Sequence, residues 1–171
     1  MNKKLIIING TMGVGKTTIC KSLYKTINNS VRLDGDWCWM MNPFEVNEYN
    51  KNMVIKNIGF LLRSFLDNPK YEYVFFNWVI HIEDIYESIL SELKDYKFDL
   101  YKITLVCNET ELRKRIRKDI KNGERTEDSI KKSIERIEMY NKLNSIKVET
   151  SNRTINEITN EIRRITVLTR T

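Results

Sequence analysis

The 171-residue sequence has one histidine, two prolines, three cysteines and six glycines. The cysteines, Cys20, Cys38 and Cys107, are odd in number and widely spaced, with no Cys-x-x-Cys. Buried thiols in a reduced, cytoplasmic protein fit that pattern better than a disulfide or zinc framework. No apolar run approaches a membrane span. The first residues run directly into an apolar strand pattern, so no signal peptide is expected. There is no repeat, low-complexity tract or Pro/Gly-rich linker, and the length suits one domain with a real core. The net charge of +6 and pI near 9.2 are compatible with nucleic acid. However, Lys and Arg are spread along the chain, and an anionic nucleotide favours the same charge. Polynucleotide binding is therefore not expected.

Four of the six glycines lie between residues 10 and 35, three of them in one loop. Gly10-Thr11-Met12-Gly13-Val14-Gly15-Lys16-Thr17 fits G-x-x-x-x-G-K-[ST], the phosphate-binding P-loop. Its context agrees. Residues 3–9 form a β-branched apolar run, and residues 17–28 place Ile19, Cys20, Leu23 and Ile27 on one helical face. Backbone N–H groups at the start of a helix favour an anion. Residues Gly10 to Thr17, with Thr18 behind them, are the expected nucleotide-binding set. Lys16 would reach the β/γ-phosphates, and the Thr17 hydroxyl would bind Mg²⁺.

Further strands are expected at 31–34, 71–80, 100–107 and 146–149. Helices are expected at 45–66, 82–94, 108–121, 126–143 and from 154 to about 168, where Thr154 and Glu157 make a capping box. Residues 37–44 read as irregular, with Pro43 as a breaker. Alternating strands and helices imply right-handed crossovers and a parallel sheet covered on both faces, an α/β fold. Ligands in such folds bind at the carboxyl ends of the strands. One such end carries Asp34-Gly35-Asp36. Two carboxylates there would divide acceptor activation from metal binding, unless Asp-Gly is only a polar turn.

These motifs, over the whole chain, resemble the small P-loop kinases: shikimate, gluconate and adenylylsulfate kinases and chloramphenicol phosphotransferase. Leu33-Asp34-Gly35-Asp36 is similar to the Leu-Asp-Gly-Asp of the gluconate and adenylylsulfate kinases. The resemblance implies a three-layer P-loop NTPase fold with a five-stranded parallel sheet in the order 2-3-1-4-5. It implies that Asp36 touches the acceptor hydroxyl as base and that Asp34 holds a Mg²⁺-bound water. The basic segment after Glu111 resembles the helix entering a small lid, here about residues 113–130. By that likeness Arg115 stacks on adenine and Arg125 neutralises the transferring phosphoryl group, although Arg113 and Arg117 are hard to rank against it. Arg136, in an Arg-x-x-x-Tyr helix ending at Tyr140, would reach substrate or phosphate. Arg63 matches a position that binds acceptor. Thr150 and Ser151 resemble the last-strand loop that cradles adenine, with Glu149 in place of the usual Asp. Together with Arg115 they favour ATP over GTP.

The third strand departs from a Walker B pattern, because Phe75-Phe76-Asn77-Trp78 has no Asp. Mg²⁺ would then rest on Thr17, water and Asp34. Trp37 and Trp78 are the aromatics expected to contact the acceptor, unless they are packing residues. The lone His81 is open between acceptor contact and structure. The expected activity is ATP- and Mg²⁺-dependent transfer of the γ-phosphate to a hydroxyl or phosphate of a small molecule. A nucleoside or nucleoside-monophosphate kinase and an antibiotic-modifying phosphotransferase are narrower alternatives. A regulatory or nucleic-acid-associated NTPase is the alternative of another class. A monomer and a homodimer fit equally, and no membrane partner is expected.

Overall fold

Strand β1 (Lys3–Asn9) is the axis of the chain, with Leu5, Ile6, Ile7 and Ile8 fully buried in succession. A continuous apolar run suits a central parallel strand, which is covered on both faces. In the computed structural model, which describes residues 2–167, β1 is followed by α1 (Lys16–Thr26), β2 (Ser30–Asp34) and a 3-10 turn (Gly35–Trp39). Then come α2 (Glu48–Asp67), β3 (Tyr73–Asn77), α3 (Glu83–Ser91), β4 (Phe98–Val106) and α4 (Glu109–Lys121). The chain ends with α5 (Asp128–Glu135), α6 (Ile137–Lys142), β5 (Ile146–Glu149) and α7 (Ile155–Ile165). The five strands pair in parallel in the order β2-β3-β1-β4-β5, as the kinase resemblance implies.

The twofold alternation of strand side chains divides the core into two layers. Ile6, Ile8, Phe75, Ile103 and Leu105 pack with α1, α4 and α7. Leu5, Ile7, Val74 and Phe76 pack with α2 and α3. Each such side chain stabilises the fold by about 1.5–3 kcal/mol. This layering puts the loops after β1, β2 and β3 side by side at one end of the sheet.

Several boundaries differ from the sequence expectation. Helix α2 starts at Glu48 and not at residue 45, because the Asn47 side chain accepts the Asn50 N–H at 2.9 Å and caps it. The strand expected at 71–80 ends at Asn77. Beyond it the Asn9 side-chain amide bonds both backbone groups of Ile80, at 2.6 and 2.8 Å, and holds this segment to the end of β1. The single helix expected at 126–143 is broken at Arg136 into α5 and α6. The break lies one turn before a change of layer, since Ile130, Ile134 and Ile137 pack on the α1 side while Tyr140 and Leu143 pack on the α2 side. The segment 37–44 is partly ordered as the 3-10 turn, capped when the Asp34 side chain accepts the Asp36 N–H. The capping box of α7 is formed by Thr154 and Glu157. The end expected for that helix, at 168, lies outside the described residues.

Candidate active site

The loop between β1 and α1 is shaped by its glycines. Gly10 has φ 144° and Gly13 has φ 84°, a region side chains disfavour. A Cβ would sit 2.5 Å from the Leu105 carbonyl oxygen at Gly10 and 2.6 Å from Ile116 Cγ1 at Gly13. The Thr11 hydroxyl donates to the Ser133 carbonyl at 2.9 Å, which ties the loop to α5. Lys16 Nζ donates to the Thr11 carbonyl at 3.0 Å. Burial lowers the Lys16 pKa from its usual 10.5 to about 8. The Arg125 charge also lowers it, and Asp36 and Asp34 oppose the shift.

The two aspartates at the end of β2 have different surroundings. Asp34 is buried and accepts the Thr17 hydroxyl at 3.1 Å, the Arg32 guanidinium at 3.4 Å and the Asp36 N–H at 3.3 Å. Asp36 opens on the cleft in front of the P-loop. Its pKa is raised by burial and then by the Asp34 charge; Lys16, a Trp78 hydrogen bond and Arg125 pull it down. Trp78 is buried directly over Gly35, where a Cβ would lie 2.4 Å from its Cγ. The glycine of Asp-Gly-Asp is thus required by the indole behind it.

The cleft has a volume of about 610 Å³ and joins Lys16, Thr17, Thr18, Asp36, Arg115 and Arg125. Met12, Gly13, Val14 and Gly15 form its floor. Arg125 is ion-paired with Asp119 at 2.8 Å. Arg115 Nη1 donates to the Val14 carbonyl at 3.1 Å and Thr150 Oγ1 at 3.0 Å, and its Nη2 donates to the Thr150 carbonyl at 2.7 Å. It therefore pins the loop after β5 to the P-loop. The Ser151 hydroxyl accepts the Asn108 N–H at 2.9 Å in that loop.

Other expected residues lie elsewhere. Arg63 does not reach the cleft; it is held by Glu92 through its carboxylate at 2.6 Å and its carbonyl at 2.8 Å, which makes it a link from α2 to the end of α3. Trp37 is 55% exposed and lies over the Arg32 guanidinium, 4.7 Å from ring centre to Cζ. Arg136 is exposed, at the break between α5 and α6, and its charge lowers the His81 pKa after burial does. The Nδ1 atom of His81 is buried without a hydrogen-bond partner.

The sequence reading missed Arg32 and treated Asn77 only as the place where a Walker B acid is absent; the two bond each other at 3.1 Å beside Asp34. An arginine inside an otherwise apolar strand was the available signal. It also missed Arg153, Ile155 and Ile158, which extend the cleft beyond Arg115.

Thr17 and Asp34 offer adjacent hard oxygen donors. Mg²⁺ keeps several waters and takes one or two protein ligands besides phosphate oxygens, so these residues fit that ion. Among the described residues, no group of three or more His, Cys, Asp and Glu side chains could hold a metal alone. Among them, too, no helix is long and apolar enough to cross a membrane.

A protein-family profile described as an AAA domain matches residues 6–139. No curated protein matches the sequence. Among solved structures, the Deinococcus radiodurans tunicamycin resistance protein is similar with a TM-score of 0.75 at 17% identity, covering 99% of this chain and 98% of that one. A gluconokinase from Sinorhizobium meliloti 1021 has a TM-score of 0.66 at 14% identity, over 96% and 94%. The Mycobacterium tuberculosis APS kinase in complex with AMPPNP and APS has a TM-score of 0.64 at 14% identity, over 96% and 97%. The fold is that of the small P-loop kinases.

Proposed function

Because the chain belongs to this AAA-domain family, we propose that it is an ATP- and Mg²⁺-dependent phosphotransferase that moves the γ-phosphate to a hydroxyl or phosphate of a small molecule. Residues 1–171 act as one kinase domain, with 113–130 as its lid. The observation that carries this is the meeting of Asp36, Lys16 and Arg125 in one cleft at the P-loop. A carboxylate facing two cations there suits group transfer to an acceptor. An NTPase that activates water through a Walker B acid would need a carboxylate where the chain has Asn77. The APS kinase neighbour, in complex with AMPPNP and APS, supports the pairing of a triphosphate with a small acceptor.

The residues divide the work by their surroundings. The loop 10–15 and the start of α1, with Thr18, hold phosphates through backbone N–H groups. Lys16 and Arg125 neutralise charge that develops on the transferring group. Asp36, whose pKa is raised by burial first and then by the Asp34 charge, accepts the acceptor proton. Thr17 and Asp34 would hold Mg²⁺, which when bound would offset the phosphate charge. Arg115, Thr150 and Ser151 shape the base end of the cleft. Trp78 backs Asp36 on the acceptor side.

The test is ATP consumption across nucleosides, nucleotides, sugar acids, shikimate and aminoglycoside-like compounds, repeated with Asp36→Asn. Transfer to one acceptor should fall by about 10²–10⁴-fold in the variant, with ATP binding nearly intact. Full activity of Asp36→Asn refutes the base assignment. ATP turnover that needs a polynucleotide and no small acceptor refutes the phosphotransferase.

A further inference from the structure

Arg32 is 8% exposed in β2, two residues before Asp34 and on the same face of the strand. Its Nη1 contacts Asp34 Oδ2 at 3.4 Å and Asn77 Oδ1 at 3.1 Å. Asn77 is the register partner of Asp34 on β3. The Asn77 amide nitrogen lies 3.5 Å from Thr17 Oγ1, and that hydroxyl donates to Asp34 at 3.1 Å. Four side chains, the P-loop threonine among them, thus close a ring. Aromatic rings flank the guanidinium, Trp37 at 4.7 Å and Tyr24 at 6.0 Å.

Donor chemistry fixes the ring's direction. Arginine has no acceptor, so the Asn77 oxygen faces Arg32 and its NH₂ faces Thr17. The Thr17 proton must then go to Asp34, which leaves one Thr17 lone pair free. The ring also has a charge balance. Asp34 supplies one negative charge, Arg32 cancels it, and Asn77 supplies none.

We propose that Arg32 is a positioning residue of the cation subsite. It holds Asp34 and Asn77 around Thr17 and cancels the local charge, so that a divalent cation enters with the nucleotide phosphates and does not bind the protein alone. This rests on the phosphotransferase proposed above. A P-loop that filled with free Mg²⁺ would place a hydrated ion where the triphosphate must dock. A neutral ring avoids that, while the free Thr17 lone pair stays ready for an ion brought by phosphate oxygens.

The test is Mn²⁺ titration followed by electron paramagnetic resonance, first on nucleotide-free protein and then with saturating AMPPNP. Wild type and Arg32→Lys, which keeps the charge, should bind Mn²⁺ only with AMPPNP. Arg32→Met should bind it without nucleotide at least about tenfold more tightly than wild type, given the strength of charge interactions at a few ångströms. Asn77→Asp, which keeps the Arg32–Asp34 pair and adds a carboxylate, should change in the same direction and carries the test if Arg32→Met fails to fold. Nucleotide-free affinities of both variants within twofold of wild type overturn the proposal. So does Arg32→Lys binding free Mn²⁺ as well as Arg32→Met does. The nucleotide-free titration does not depend on catalysis. Wild type that binds no Mn²⁺ with AMPPNP would instead overturn the ATP-dependent function and leave the Arg32 comparison readable.

Discussion

Replacing Lys16 with methionine should stabilise the free protein while abolishing transfer. The fall of its pKa from 10.5 to about 8 comes first from burial. At ~1.36 kcal/mol per unit, that difference bounds the cost of keeping Lys16 charged in the fold at about 3 kcal/mol. The side chain is only half-buried, and its loss removes an attraction that holds the Asp36 pKa down. Discounted for that exposure and coupling, the gain is about 1 kcal/mol at pH 7. In a chain of this size it raises Tm by about 2–4 °C. The sign of the pH dependence follows. Below pH 8 the ammonium is protonated in both states, so the full penalty is present in wild type. Between pH 8 and 10.5 the folded protein releases the proton while the unfolded chain keeps it, so wild type gains stability with rising pH. The gap to Lys16→Met should therefore close by about pH 10.5. Thermal unfolding of both proteins at pH 7 and pH 10 reads it, and transfer should fall at least about 10²-fold. A variant less stable than wild type at pH 7, or a gap that does not change with pH, refutes the reasoning.

Other expectations follow from neighbouring contacts. The Asp36 pKa is raised, so the limb of the pH–rate profile that rises with pH should lie above the ordinary carboxylate range; Asp36→Asn should delete that limb along with most activity. Arg115→Ala leaves the Val14 and Thr150 carbonyls without their donor. With charged hydrogen bonds at about 1.5–3 kcal/mol each, KM for ATP should rise at least about tenfold while kcat changes less, as steady-state kinetics would read. Gly35→Ala drives a methyl into Trp78. That should destabilise the fold by about 1–3 kcal/mol, measured as a lowered Tm, and should lower activity by displacing Asp36; an unchanged Tm refutes the packing argument.

The fold was legible because its determinants are local. The β-branched run of β1, the P-loop glycines and the alternation of apolar segments each report on a few neighbouring residues, and the parallel sheet follows from their order. The boundaries misplaced at Asn77 and Arg136 had non-local causes, whereas the start of α2 rests on the local Asn47 cap. No propensity ends β3 at Asn77; a side chain from β1, Asn9, takes over the backbone of Ile80. The break at Arg136 could not be read from helical periodicity, which sees an apolar face but not which layer of the core receives it.

The site divides along the same line. Lys16, Thr17, Asp34 and Asp36 were visible because short motifs fix their relative positions. Arg32 and Asn77 lie 45 positions apart and meet only through the register of β2 and β3. The asparagine where an acid was expected read only as a departure from the Walker B pattern, and the arginine inside the strand was assigned no role. Once the register pairs Asp34 with Asn77, they explain each other: an acid at 77 would change the charge that Arg32 balances. Arg63 shows the converse. Its place before the third strand suggested an acceptor contact, yet a carboxylate one helix away, Glu92, holds it at 2.6 Å. An ion pair alone does not set the role of an arginine: Arg125 is held by Asp119 at 2.8 Å and still lines the cleft at the P-loop, which Arg63 does not.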